Sequence, residues 1–179
     1  MSYPLVFVGG IHGVGKSRIC TALAQQLGVE TITASTLIRQ VRQQPTDAAK
    51  RVGDMAGNQD ALCQALASYR PLSGALILDG HCCLLDAQQQ VIEVPLTTFS
   101  TMAPRAMVLI HDTIPAIQQR LNARDGLAFD ATVLDTFQHA ELRHANAICA
   151  ALAIPLLRVT PSDDRRPIEA FVTTYLRAL

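Results

Sequence analysis

LVFVGGIHGVGKS, residues 5–17, decides the fold. Its first half is an apolar run of β-formers that stops at Gly9-Gly10. Its second half, Gly10-Ile11-His12-Gly13-Val14-Gly15-Lys16-Ser17, matches G-x-x-x-x-G-K-[ST] in full. Glycines let successive backbone N–H groups turn inward around phosphate oxygens. In this pattern Lys16 reaches the β- and γ-phosphates of ATP, and the Ser17 hydroxyl ligates Mg²⁺. SRICTALAQQLG at 17–28 follows, with apolar positions at 19, 22, 23 and 27 and a closing glycine, which predicts a helix. Such a helix aims its positive dipole end at the anion. Gly10, Gly13, Val14, Gly15, Lys16, Ser17 and Arg18 are thus the candidate nucleotide-binding residues. His12 fills a variable position and reads as a solvent-facing side chain.

Outward from this loop, strand and helix signals alternate. ETIT at 30–33, ALILD at 75–79, AMVLI at 106–110 and IPLLRV at 154–159 read as further strands. Helices are predicted over ASTLIRQVRQQ from residue 34, capped by Ser35 or Thr36, and over 55–69, 113–124, 131–152 and the C-terminal stretch containing Pro167. Mostly apolar strands without alternation are buried on both faces, as in parallel sheets. The class is α/β, three layers in a single domain spanning 1–179. The chain shows no internal repeat.

Composition agrees. Hydrophobic residues make up 49% and charged residues 17%, the balance of a compact globular chain. Fifteen basic and fifteen acidic residues cancel, which argues against sequence-independent nucleic-acid binding. Lys16 and Lys50 are the only lysines; every other basic residue is an arginine, the side chain best suited to bidentate phosphate recognition. The cysteines are Cys20, Cys63, Cys82, Cys83 and Cys149, with no C-x-x-C spacing. No signal peptide and no membrane span is legible. A reducing cytoplasm is therefore expected, with buried cysteines; a redox or metal role for vicinal Cys82 and Cys83 lacks supporting ligand spacing.

Three further features bear on the reaction. ILDGH at 77–81 puts Asp79 at the C-terminal end of a buried strand, the sheet edge where ligands sit. There it can order Mg²⁺ or accept a proton, or it can simply cap a helix. STLIR at 35–39 places Arg39 near the same edge, where it could bind the phosphate of a second substrate. Arg120 and Arg124 flank a helix end that runs into RDGLAFD, and Arg143 lies on the long helix beyond. Phosphoryl transfer requires positive charge around the migrating group.

GIHGVGKS, STLIR, ILDGH and RLNAR, in this order, resemble a P-loop nucleoside monophosphate kinase. The likeness is to archaeal-type adenylate kinases and small adenylate kinase-like ATPases, and spans roughly residues 5 to 160. It implies a three-layer P-loop NTPase fold with a five-stranded parallel sheet in the order 2-3-1-4-5. It implies a region binding the nucleoside monophosphate (NMP) around 34–70, a short lid around 124–131, and transfer of the ATP γ-phosphoryl to an NMP. Carried over, Lys16 and Ser17 hold ATP and Mg²⁺, Asp79 supports the metal and His81 sits near the acceptor. Arg39 binds the acceptor phosphate, and Arg120, Arg124 and Arg143 bridge the phosphates. The lid has no Cys₄ zinc element. His81 and Cys82 stand where bacterial adenylate kinases continue DGFPR, which leaves the acceptor open between AMP, another NMP and another small molecule.

Other functions fit parts of the pattern. An ATPase switch acting on a protein or RNA partner uses the same loop, with Arg158, Arg165 and Arg166 as a local basic patch. A polynucleotide 5′-hydroxyl kinase needs a basic groove and aromatic platforms, and only 4% of residues are aromatic. A binding module without catalysis sits poorly with intact Lys16, Ser17 and Asp79. Asn58-Gln59-Asp60 could read an acceptor base, although Asn58 and Asp60 read first as caps of the helix containing Ala61 to Tyr69.

Overall fold

A computed structural model describes residues 3–42, 55–125 and 129–177. The main sheet contains β1 (Leu5–Gly9), β2 (Glu30–Thr33) and β3 (Leu76–Asp79). A separate antiparallel ribbon pairs β4 (Cys83–Leu85) with β5 (Val91–Glu93). The main sheet is completed by β6 (Ala106–Ile110) and β7 (Leu156–Val159). Its five strands run β2-β3-β1-β6-β7, and every pairing is parallel. With the ribbon strands set aside, this is the expected order 2-3-1-4-5. The ribbon itself is not predicted from the sequence. Its turn is held by Asp86, whose carboxylate accepts from the backbone N–H of Gln88 (2.9 Å) and Gln90 (2.7 Å).

Alternate residues of each central strand feed two cores. Val6 and Val8 of β1, Ile77 of β3 and Val108 of β6 face one side. They pack against α1 (Lys16–Leu27), α5 (Ile114–Asp125) and α7 (Arg165–Leu176). Leu5 and Phe7, Leu76 and Leu78, and Met107 and Leu109 face the other. There they meet α2 (Ala34–Arg42), α3 (Met55–Ser68) and α4 (Leu96–Met102). The long helix α6 (Ala131–Leu152) serves both sides: Leu134, Phe137 and Ala140 join the first core, Ala145, Ile148 and Cys149 the second. Strands β1, β3 and β6 are buried throughout, whereas the edge strand β2 is half-buried, so burial on both faces holds for the centre of the sheet only.

Two expected caps are corrected. The backbone N–H at the start of α2 is capped by Thr33, not by Ser35 or Thr36: its hydroxyl accepts from Thr36 N at 3.1 Å. Asn58 and Asp60 lie inside α3, which already begins at Met55. The region expected around 34–70 comprises α2 and α3, with residues 43–54 outside the described residues. The stretch expected as a lid, 124–131, joins α5 to α6, with residues 126–128 outside the described residues. None of the helices among the described residues is long and apolar enough to cross a membrane.

Candidate functional site

The C-terminal ends of β1, β2 and β3 open into a cavity of about 650 Å³. One end is the glycine loop: Gly13, Gly15, Lys16, Ser17 and Arg18 line it, with Arg120 and Arg124 of α5 beside them. Asp79, Gly80 and His81 form its floor. The other end is walled by Ile38 of α2, Leu62 of α3, Leu84 and Val94 of the ribbon region, and Phe99 and Met102 of α4. Thr33, Ser35, Asn58 and Gln59 are the uncharged polar groups of that half.

The loop is built for an anion. Gly15 at the start of α1 has φ 100° and offers no side-chain cap, so the first N–H groups of the helix have no side-chain acceptor. At Gly10, φ is 139°, and a Cβ there would run into the carbonyl oxygen of Ile110 on the adjoining strand. Lys16 is 7% exposed, and its Nζ donates to the carbonyls of Gly10 (2.7 Å) and Ile11 (3.2 Å). Burial pushes its pKa below the usual lysine range, and the nearby carboxylates of Asp79 and Glu141 oppose that shift.

Ser17 Oγ donates to Asp79 Oδ2 at 2.8 Å. Asp79 is followed by a turn into the ribbon and not by a helix, so the helix-cap reading of Asp79 is set aside. A hydroxyl and a carboxylate at this spacing are hard oxygen donors that fit Mg²⁺, which is normally held by one or two carboxylates together with substrate phosphates. Among the described residues no group of three or more His, Cys, Asp or Glu could hold a metal ion; Ser17 and Asp79 would supply part of a shell.

The arginines divide. Arg120 donates from Nε to the Gly13 carbonyl (2.6 Å) and from Nη2 to Asp112 Oδ2 (2.6 Å), which braces it against the loop. Asp112 is held in turn by Gln138 of α6, whose amide bonds both its N–H (3.0 Å) and its carbonyl (2.8 Å). Arg124 also lines the cavity. Arg143 and Arg39 do not: Arg143 pairs with Glu93 at 3.3 Å, and Arg39 is exposed and donates to Thr36 Oγ1 at 3.2 Å. Val14 is fully buried beneath the loop.

His81 lies against His12, with ring centroids 4.3 Å apart. Its Nδ1 is buried with no hydrogen-bond partner among the described residues. Burial, then the charges of Lys16 and His12, hold its pKa well below the usual histidine value, so the ring is neutral. His12 is exposed, as its loop position suggests. Cys82 and Cys83 are wholly buried, and burial pushes the Cys83 thiol up to about 12 and Cys82 well above its usual value. They are core residues.

Sequence reasoning does not single out Glu141. It is 1% exposed, and its carboxylate accepts from the backbone N–H of Gly10 (2.9 Å), Cys82 (2.9 Å) and Cys83 (2.6 Å). One signal was present: position 141 shares a helix face with Leu134, Phe137, Ala145 and Ile148, and an acid in an apolar stripe must be paired when buried.

With this geometry in place, comparison with known proteins is informative. A family model described as an AAA domain matches residues 9–136. The fold is similar to a gluconokinase from Sinorhizobium meliloti 1021, at 16% identity and TM-score 0.54, covering 98% of this chain and 92% of that one. It is similar to a shikimate kinase from Acinetobacter baumannii in complex with shikimate, at 14% identity and TM-score 0.55, covering 97% and 92%. A shikimate kinase from Bacteroides thetaiotaomicron gives 17% identity and TM-score 0.57, covering 96% and 95%. At these identities the likeness shows a fold shared with small-molecule kinases, and it does not single out adenylate kinases. No curated protein matches the chain in sequence.

Proposed function

The chain belongs to the AAA domain family, and on that premise we propose that it transfers the γ-phosphoryl group of ATP to a small acceptor, an NMP. The carrying observation is one continuous cavity with a phosphate loop at one end and an apolar, amide-edged wall at the other. Phosphates would settle on the loop N–H groups and the start of α1. Lys16 would exchange its two carbonyl partners for phosphate oxygens. Ser17 and Asp79 would hold Mg²⁺, which supplies neutralisation of the charge that builds on the phosphates. Arg120 and Arg124 stand on the same side, where positive charge is needed.

The acceptor reading follows from the other half. Phe99, Met102, Leu62 and Ile38 suit the face of a flat ring, and Asn58 and Gln59 supply donor–acceptor edges of the kind a nucleobase pairs with. An acceptor phosphate would lie toward Thr33 and Ser35, with Arg39 closing over it. The neutral His81 ring offers a hydrogen-bond acceptor between the two halves. Arg143 would act only by moving away from Glu93. A single domain with α2 and α3 framing the acceptor suits this chemistry, as does a cytoplasmic setting. The basic patch needed by the ATPase-switch alternative gains nothing here: Arg158 is engaged with Asn146 and Arg166 with Asp164.

The test is diphosphate formation from MgATP with each NMP, with shikimate and with gluconate, beside Lys16→Ala. Acceptor-dependent ADP with one NMP is expected, reduced about 10²–10³-fold in the variant, the loss typical of removing one donor to the transition-state charge. Phosphorylation of shikimate or gluconate instead would overturn the NMP acceptor. ADP and free phosphate at one rate whatever is added would overturn the kinase reading and favour the ATPase switch.

A further inference from the structure

We propose that Glu141 is a positioning residue for the nucleotide: through the Gly10 peptide, its carboxylate sets the phosphate loop and Lys16 for incoming phosphates. The inference rests on the reading of the loop as an ATP site.

The argument begins with what surrounds Gly10. Its N–H donates to Glu141 Oε1 at 2.9 Å, and its carbonyl accepts from Lys16 Nζ at 2.7 Å. The two charged side chains therefore grip opposite ends of one residue. That residue sits at φ 139°, packed against Ile110 with no room for a Cβ. The remaining contacts of Glu141 go to Cys82 N and Cys83 N. These follow Asp79, Gly80 and His81 in the chain, so the exit of β3 is held by the same carboxylate. One buried group thus fixes where the loop begins relative to the residue that partners Ser17.

Charge adds to geometry. When ATP arrives, Lys16 leaves the Gly10 carbonyl, and Glu141 keeps hold of the N–H. The groups facing Lys16 are Asp79 from β3, Glu141 from α6, Cys20 from α1, and Cys82 and His81 from the segment after β3, with His12 facing His81 in turn. Only Asp79 and Glu141 are carboxylates. Both favour the protonated ammonium against its burial.

Glu141→Gln keeps the shape and one acceptor oxygen, removes the charge, and turns an amide NH₂ toward the Cys83 N–H. The experiment is a direct titration of wild type, Glu141→Gln and Glu141→Asp at neutral pH with a fluorescent ATP analogue plus Mg²⁺, with the matching fluorescent adenosine as reference. For Glu141→Gln we expect roughly tenfold weaker ATP-analogue binding and unchanged adenosine binding. Glu141→Asp, which keeps the charge but stops short of Gly10, should bind the analogue more weakly and leave adenosine binding unchanged. A residue that only clamps the fold would lower the melting temperature and leave ATP-analogue binding, measured against adenosine, unchanged, and that result in Glu141→Gln overturns the proposal. Should Glu141→Gln not fold, undiminished analogue binding by Glu141→Asp overturns it equally. No acceptor is present, so wild type that binds MgATP but phosphorylates nothing counts against the kinase reading alone. Wild type that binds no MgATP counts against both.

Discussion

Gly10 and Gly28 both have positive φ, 139° and 65°, yet they carry different burdens. Gly28 ends α1 in the left-handed region with open space around its Cα, and its N–H donates to the Ala24 carbonyl. Alanine there meets only the intrinsic left-handed penalty, about 1–2 kcal/mol. Alanine at Gly10 meets that strain together with the Ile110 carbonyl, and the loop must shift to admit it. Gly10→Ala should therefore lose more than about 3 kcal/mol in urea unfolding and lose MgATP binding as well. Gly28→Ala should lose the smaller amount and keep binding, since Gly28 lies at the far end of α1 from the loop. Equal effects in the two variants would show that the backbone at Gly10 has room to adjust. The same two glycines mark what a motif can reveal. G-x-x-x-x-G-K-[ST] requires Gly10 at that place, whereas nothing in the motif records that Glu141, far along the chain, holds its N–H.

At the scale of elements, helix α6 shows which signals survive folding. Its bounds, Ala131–Leu152, are those expected from the sequence. Its start is fixed by Asp130, whose carboxylate accepts from Thr132 N (2.7 Å) and Val133 N (3.2 Å). Asp130→Ala should cost about 1 kcal/mol, read as a melting temperature lower by roughly 2–4 °C for a chain of this size. Asp130→Asn, an equally good cap, should melt close to wild type; a drop as large as alanine's would mean that the charge and not the cap matters. The main-sheet strands were legible for a similar reason, since β1, β3 and β6 are short apolar runs with glycines or proline at their edges. The ribbon was not: Cys83–Leu85 and Val91–Glu93 have three residues each, too few for a period to show, and their pairing rests on the Asp86 turn. Thr33 was missed as a cap because it also ends a strand. Asn58 was misread because polar residues suit a helix start, whereas here they face a cavity.

Over the whole molecule, the site is legible wherever one local segment carries it and hidden wherever distant segments meet. Lys16, Ser17 and Asp79 were found from motifs, and β1 and β3, adjacent in the sheet, bring them together. Arg120 and Arg124 reach the same cavity, but only three-dimensional placement separates them from Arg39 and Arg143. Of the cavity's far wall, only Asn58 and Gln59 were singled out in the sequence, because its apolar side chains come singly or in pairs from α2, α3, the ribbon region and α4. This division of labour has a thermodynamic consequence. The loop, α1 and the β3 exit belong to the sheet that organises both cores, so a ligand bound there stabilises the entire fold and not a local segment. A non-hydrolysable ATP analogue with Mg²⁺ at 100 times its dissociation constant contributes about 2.7 kcal/mol. For a chain of this length that corresponds to roughly 5–10 °C in melting temperature. The shift should shrink when Mg²⁺ is chelated and nearly vanish in Lys16→Ala. Adding the correct NMP on top of the analogue should raise it again, because the two halves of one cavity are then filled together. A full shift with the analogue and no increment from any NMP would leave the loop's role intact and rule out the apolar half as an NMP site.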